Sequence, residues 1–226
     1  MKFWLSALCG GAMMVSQLAQ AGVVIGATRL VYDGDKKESS LSVSNPDTMA
    51  YLIQSWVDQQ EGSDKKAPFI LTPPLFRLDG GLQNVLRVVR VGGALPEDRE
   101  SLFWLNVKSI PSASRQDNTL QIAVKTRIKL LYRPAALQGK SPAAVSNQLT
   151  WRRAGAKLTV NNPTPFYMNF QKVTVNGLEV QDATYVAPQS SATFSLPATA
   201  PGGTVVWRLI TDYGGIGAPQ QGTLMQ

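Results

Sequence analysis

The sequence predicts an all-β protein of two β-sandwich domains, and three observations predict it. Short apolar runs recur at roughly ten-residue spacing with turn residues between them. No capped run of helical periodicity competes with them. The series occurs twice, on either side of RPAALQGKSPAAV, a segment whose Pro, Gly and small residues suit a domain boundary.

The chain opens with MKFWLSALCGGAMMVSQLAQA, a positive residue, a short apolar stretch and an Ala-Gln-Ala ending. This reads as a secretory signal peptide, residues 1–21, cleaved after Ala21. The first domain is then 22–134. Its strand candidates are GATRLVY before Asp33-Gly34, SLSVS before Asn45-Pro46, YLIQSWV, FILTPPLF, VLRVVRV before Gly92-Gly93, and SLFWLNV. A linker over 135–144 leads to the second domain, 145–226. There the candidates are QLTWRR, KLTVNN, YMNFQKVTV with an Asn176-Gly177 hairpin turn, ATFSL and VVWRLITDYG. Thr72-Pro73-Pro74 and Asn162-Pro163-Thr164-Pro165 interrupt apolar runs. Because proline lacks a ladder donor, both are read as strand ends, edges or sharp turns, with the isomer of the Thr72-Pro73 and Pro73-Pro74 bonds left open. Gly214-Gly215-Ile216-Gly217 lacks the spacing and context of a nucleotide-binding loop and is read as a flexible turn.

One stretch stands out. In NTLQIAVKTRIKLLYRP, Leu120, Ile122, Val124, Ile128, Leu130 and Tyr132 fall on even positions, with Thr126 between them. Gln121, Lys125, Arg127 and Lys129 take odd ones. That is the period of a strand with one apolar face. At about 3.3 Å per residue, Leu120 to Tyr132 would span roughly 40 Å, about twice a usual strand. Either such a strand is bent and shared between two places, or half of its apolar face is meant for something else.

Composition removes several classes of chemistry. The chain contains no histidine, and its one cysteine, Cys9, lies in the signal peptide. Serine–histidine catalysis, cysteine nucleophiles and His or Cys metal sites are therefore excluded, and no cofactor is expected. A formal charge of +7 suits an acidic partner. The basic residues are scattered along alternating strands rather than clustered, which argues against nucleic acid. No segment after the signal peptide is apolar for long enough to insert into a membrane as a helix. Glu97, Asp98 and Glu100 invite comparison with a glycosidase carboxylate pair, against which stands the commoner reading of a solvated loop or an ion-pair site.

LPEDRESLFWLNVKSIPS, Leu95 to Ser112, resembles the signature of the periplasmic pilus-assembly chaperones of the chaperone–usher pathway. GATRLVY, LIQSWV, FILTPPLFRL, TLQIAVKTRIKLLYRPAAL, NPTPFYMNF and TDYGG resemble the same family, in the same order and over essentially the whole mature chain. FILTPPLFRL and SLFWLNVKSIPS look most like the branch serving type 1 and related fimbriae.

The resemblance implies two immunoglobulin-like sandwiches in an L or boomerang arrangement with a cleft between them. It also implies a non-enzymatic role in the periplasm: capture of a fimbrial (pilin) subunit in a one-to-one complex, with delivery to an outer-membrane usher. Leu120, Ile122 and Val124 would be the donor-strand side chains that fill the groove of an incomplete subunit, while Ile128, Leu130 and Tyr132 complete the chaperone's own domain. Arg29 and Lys129 would anchor the subunit's C-terminal carboxylate. Glu100, Arg133 and Asp212 would form ion pairs between the domains. Self-association of the free form through the exposed strand is a secondary expectation. The rival reading is a secreted carbohydrate-binding or structural fimbrial sandwich.

Overall fold

The computed structural model describes residues 22–59, 66–112, 120–196 and 203–225; the signal peptide expected over residues 1–21 lies outside them. In the first domain, β1 (Val24–Ile25), β3 (Glu38–Ser44), β5 (Phe69–Thr72) and β7 (Gln83–Arg90) form one sheet in the order β1-β3-β7-β5. The facing sheet contains β2 (Arg29–Asp33), β4 (Tyr51–Asp58), β6 (Leu75–Leu78), β8 (Ser101–Pro111) and β9 (Val124–Arg133), in the order β2-β9-β8-β4-β6. Alternation sets the inner faces: Leu41 and Val43, Tyr51 and Ile53, Leu86 and Val88, and Ile128, Leu130 and Tyr132 are all buried. Phe69 sits at the centre, edge-on to Tyr32 at 5.2 Å and to Phe103 at 5.0 Å.

The second domain contains β10 (Thr150–Ala154), β11 (Lys157–Asn162), β12 (Met168–Val175), β13 (Leu178–Glu179), β14 (Tyr185–Val186), β15 (Ser190–Ser195), β16 (Thr204–Leu209) and β17 (Gln220–Met225). Its strands follow one continuous hydrogen-bonded path, β13-β12-β16-β17-β10-β11-β15, with β14 pairing β12. The link between β17 and β10 is parallel and short. This curled sheet encloses a core around Trp151 and Trp207, whose rings lie 5.4 Å apart. Asn176 and Gly177 both have positive φ, 46° and 82°, which is the two-residue turn that joins β12 to β13.

The two domains share a device that the sequence shows only as Asn-Pro. Asn45 and Asn162 are buried, and each accepts a hydrogen bond on Oδ1 from the backbone N–H two residues on, Asp47 at 3.1 Å and Thr164 at 3.0 Å. Each amide then donates to the carbonyl four residues on, Met49 at 2.7 Å and Phe166 at 2.8 Å. Each also donates to a distant carbonyl, Leu78 or Ala187. A proline directly after the asparagine removes one backbone donor from the bend, and the asparagine satisfies the next donor and two carbonyls. Thr72-Pro73, a cis bond, carries the chain from β5 in one sheet towards β6 in the other.

Two readings need correction. The strand expected from Leu120 to Tyr132 begins only at Val124; Leu120 to Ala123 lie outside any strand, and Leu120, Ile122 and Val124 are 83%, 65% and 53% exposed. The β8–β9 ladder ends at Ser109↔Val124, and two residues further on β8 closes at Pro111, which has no N–H to offer. Nor is the glycine turn loose. Thr211 N–H donates to Gly215 O at 2.8 Å, Gly214 N–H donates to Thr211 O, and Ile210 bridges Ile216. Gly214, at φ 82°, lies so close to Thr28 of the first domain that a Cβ there would fall 2.3 Å from its hydroxyl.

The alternating run thus divides into a buried half and an exposed half. Leu130→Ala is expected to lower the unfolding free energy by about 2–5 kcal/mol, and Leu120→Ala to leave it within about 0.5 kcal/mol; urea denaturation followed by tryptophan fluorescence measures both.

Candidate functional site: a cationic cleft between the domains

β2 and β9 pair in parallel, in a register that sets Arg29 directly opposite Lys129. Both lie on the face turned away from the first core, which is why Lys129 breaks no alternation. They line a cleft of about 470 Å³ whose other wall comes from the second domain, including Phe170, Thr184 and Ile210. Arg29 is only 7% exposed; its Nη1 donates to Ile210 O at 3.5 Å, and its Nε has no hydrogen-bond partner. Lys129 Nζ donates to Asn169 Oδ1 and lies 4.1 Å from the centre of the Tyr185 ring.

Two like charges side by side and half-buried disturb each other. Burial, and then the neighbouring Arg29, lower Lys129 from its ordinary 10.5 to about 8. Burial also lowers Arg29, against the pull of Asp212. An orphaned donor and a depressed ammonium mark an electrostatic deficit. The arrangement suits one thing chemically: an anion with two oxygens, met by a guanidinium fork and a second point charge.

Behind the cleft, Arg133 joins the domains. Its Nε donates to Glu100 Oε1 at 2.8 Å, while Nη1 and Nη2 donate to Asp212 Oδ2 and Oδ1 at 2.7 and 2.8 Å. Glu100 belongs to the first domain and Asp212 to the turn after β16. The second oxygen of Glu100 accepts the Tyr167 N–H at 2.8 Å, so both of its oxygens are taken. Burial would lower Arg133, but its hydrogen bonds with Asp212 and the charge of Glu100 override that and hold it protonated. Burial pushes Glu100 upwards, with Arg133 and the Tyr167 N–H opposing. A carboxyl so engaged has no freedom to serve as an acid or nucleophile, and Glu97 lies exposed on the loop.

The structure brings Arg29 to Lys129, and Glu100 to Arg133 and Asp212, as two adjacent clusters. Leu120 and Ile122 stand apart, on the approach to β9, and Val124 opens that strand. Sequence reading missed the second-domain partners Asn169, Tyr185 and the Ile210 carbonyl, because none carries a charge, and NPTPFYMNF, which contains Asn169, does not mark which of its residues reaches the cleft. It also missed Leu131, an odd-numbered apolar residue that packs with Leu102 and Tyr167 between the domains. The odd face of β9 is otherwise a row of cations on aromatics: Lys125 near Trp56 at 5.6 Å, Arg127 over Trp104 at 4.3 Å, Lys129 over Tyr185, and Arg133 near Phe166 at 5.3 Å.

Fold and cleft together define a protein of two β-sandwiches locked by a buried arginine, with an anion-seeking cleft at their junction. Residues 22–138 match the N-terminal domain of the PapD pili and flagellar-assembly chaperones, and residues 144–221 match the C-terminal domain of the PapD pili assembly chaperones. The chain is 44% identical to the probable fimbrial chaperone LpfB of Escherichia coli O157:H7, over 95% of this chain and 94% of that protein. It is 43% identical to the chaperone protein FimC of Escherichia coli strain K12, over 94% and 89%. Among solved structures it resembles the E. coli chaperone DraB, with a TM-score of 0.81, 44% identity and coverage of 90% and 96%. It also resembles the structure of the Salmonella enterica SafA pilin in complex with the SafB chaperone, with a TM-score of 0.83, 40% identity and coverage of 90% and 96%. The chain belongs to the PapD family of pilus-assembly chaperones, and its sandwiches are immunoglobulin-like.

Two outcomes follow from the geometry. Arg133→Met would leave Glu100 buried without its cation, a loss of about 3–5 kcal/mol in urea denaturation. Lys129 gives the second. Unfolded, it keeps its proton up to about 10.5; folded, only up to about 8. Between those values unfolding takes up a proton, so Lys129 contributes stability that rises with pH across that window. In Lys129→Met that contribution is absent, which a comparison of urea midpoints from pH 7.5 to 10.5 would register.

Proposed function

We propose that the protein is a periplasmic chaperone that captures fimbrial subunits by lending them a strand, prevents their premature polymerisation and delivers them to an outer-membrane usher. The observation that carries this reading is where β2 begins. β2 pairs with β9 only from Lys129 onwards, so the edge of β9 from Val124 to Ile128 has no strand on that side among the described residues. Arg29 and Lys129 stand where the open edge begins.

A partner strand laid along that edge, with its last residue at Lys129, would continue the line of β2 and run parallel to β9. Its backbone would take the free ladder groups, and its terminal carboxylate would meet the two cations. Strand addition is a known mode of peptide recognition, chaperone–pilin pairing included. Leu120, Ile122 and Val124, on the parity of the core-facing residues but beyond the domain's own core, would fill the subunit groove. Burying them contributes at most roughly 1.5–3 kcal/mol each, enough to hold a subunit and little enough for a better-fitting strand to replace them. The same exposed side chains favour self-association of the free form. Against the enzymatic rival stands Glu100, both of whose oxygens are engaged, by Arg133 and by the Tyr167 N–H.

The test is co-expression in a periplasm with candidate fimbrial subunits. A one-to-one complex is expected to co-purify with the native protein and to be lost with Arg29→Ala or with Lys129→Ala, each weakening capture at least about tenfold. A complex indifferent to both would remove the carboxylate anchor from the reading. Because a bound carboxylate favours the ammonium form of Lys129, capture is also expected to weaken as pH rises past about 8.

A further inference from the structure

The two cleft cations belong to the first domain, yet each is held by the second, and in each case by a neutral oxygen. Arg29 donates to the Ile210 carbonyl, and Lys129 donates to the side-chain oxygen of Asn169. Asn169 is 3% exposed; its own amide donates to Tyr167 O at 3.5 Å, and its carbonyl accepts the Ile210 N–H at 2.8 Å. Asn169 and Tyr185 face each other across the β12–β14 ladder, and both reach the same ammonium, one by hydrogen bond and one by ring face. The charged groups around this point are Arg29 on β2, Arg127 on β9, Lys172 paired with Glu179 at 2.8 Å and Asp182 on the second-domain wall of the cleft, and Asp212, whose oxygens are engaged by Arg133.

We infer that Asn169 and Tyr185 are positioning residues of the carboxylate site: they hold the Lys129 ammonium beside Arg29 without neutralising it, so that the positive charge is kept for the incoming anion. The inference rests on the reading of Arg29 and Lys129 as a carboxylate anchor. A carboxylate in place of the Asn169 amide would reach the same nitrogen and satisfy it from within. The neutral amide fixes the geometry and leaves the electrostatic deficit open. The anchor is therefore a two-domain site, and a change in the setting of the domains alters affinity for the anion.

The test uses the whole protein and a fluorescein-labelled peptide of alternating valine and serine, with either a free C-terminal carboxylate or a C-terminal amide. The native protein is expected to bind the carboxylate form at least about tenfold more tightly than the amide, ~1.4 kcal/mol, with the preference fading above pH 8. Asn169→Asp is expected to bring the preference within about twofold and to raise the pH at which Lys129 titrates, followed by its side-chain carbon resonances. Tyr185→Leu, which leaves the amide in place, is expected to reduce the preference about threefold or more. An unchanged preference and an unchanged Lys129 midpoint in folded Asn169→Asp or Tyr185→Leu would overturn the inference while leaving the anchor standing. A native protein that fails to prefer the carboxylate would overturn the anchor, and the inference with it.

Discussion

Arg133 holds a carboxylate from each domain, and the rest of the site depends on that junction. Removed from water, three charged groups are a poor source of stability compared with well-packed apolar side chains, because each must lose its hydration. Their advantage is direction. A guanidinium that meets Asp212 with two parallel bonds and Glu100 through its Nε–H accepts one relative placement of the domains, where an apolar contact accepts many. The turn that presents Asp212 also presents Ile210, so the setting of Arg133 carries over to the acceptor of Arg29. The packing of Leu102, Leu131 and Tyr167 closes the same junction against water.

The fold's second constraint is the edge of β9 from Val124 to Ile128, which has no neighbouring strand on the β2 side among the described residues. Such an edge beside exposed Leu120, Ile122 and Val124 is a hazard that most proteins conceal. Here the hazard is bounded. The pairing of β2 with β9 from Lys129 onwards confines that edge to a few residues, and Lys125, Arg127 and Lys129 give the adjoining face a positive charge. On the reading proposed above, apolar fit and anion capture lie on one continuous stretch of chain, from Leu120 to Lys129. A ligand that meets only one of the two criteria forgoes the other's free energy, which is how a protein without a deep pocket acquires selectivity.

Much of this was legible in the sequence because strand alternation is a local property. The pattern of Ile128, Leu130 and Tyr132 gave their burial, the Asn176-Gly177 pair gave its hairpin, and the prolines gave breaks between strands. Where β9 begins was not legible: Leu120 and Leu130 look alike to a period of two, and the difference is whether another strand pairs alongside. The partners of the cations were hidden for a related reason. Asn169, Tyr185 and a backbone carbonyl at Ile210 differ from ordinary strand residues only through contact with another domain. Leu131 broke the even-numbered rule because β9 has two buried faces at its end, one for its own core and one for the neighbouring domain.

The register of β2 against β9 also bears on when the protein becomes competent. Arg29 pairs with Lys129 across 100 residues of chain, and it meets its acceptor at Ile210 across 181. Contacts of such sequence separation form late, since their loop-closure entropy is repaid only once the intervening structure exists. The cleft takes its walls and the acceptors of its cations from both domains, so it exists only in a chain in which both have folded, a dependence written into chain topology.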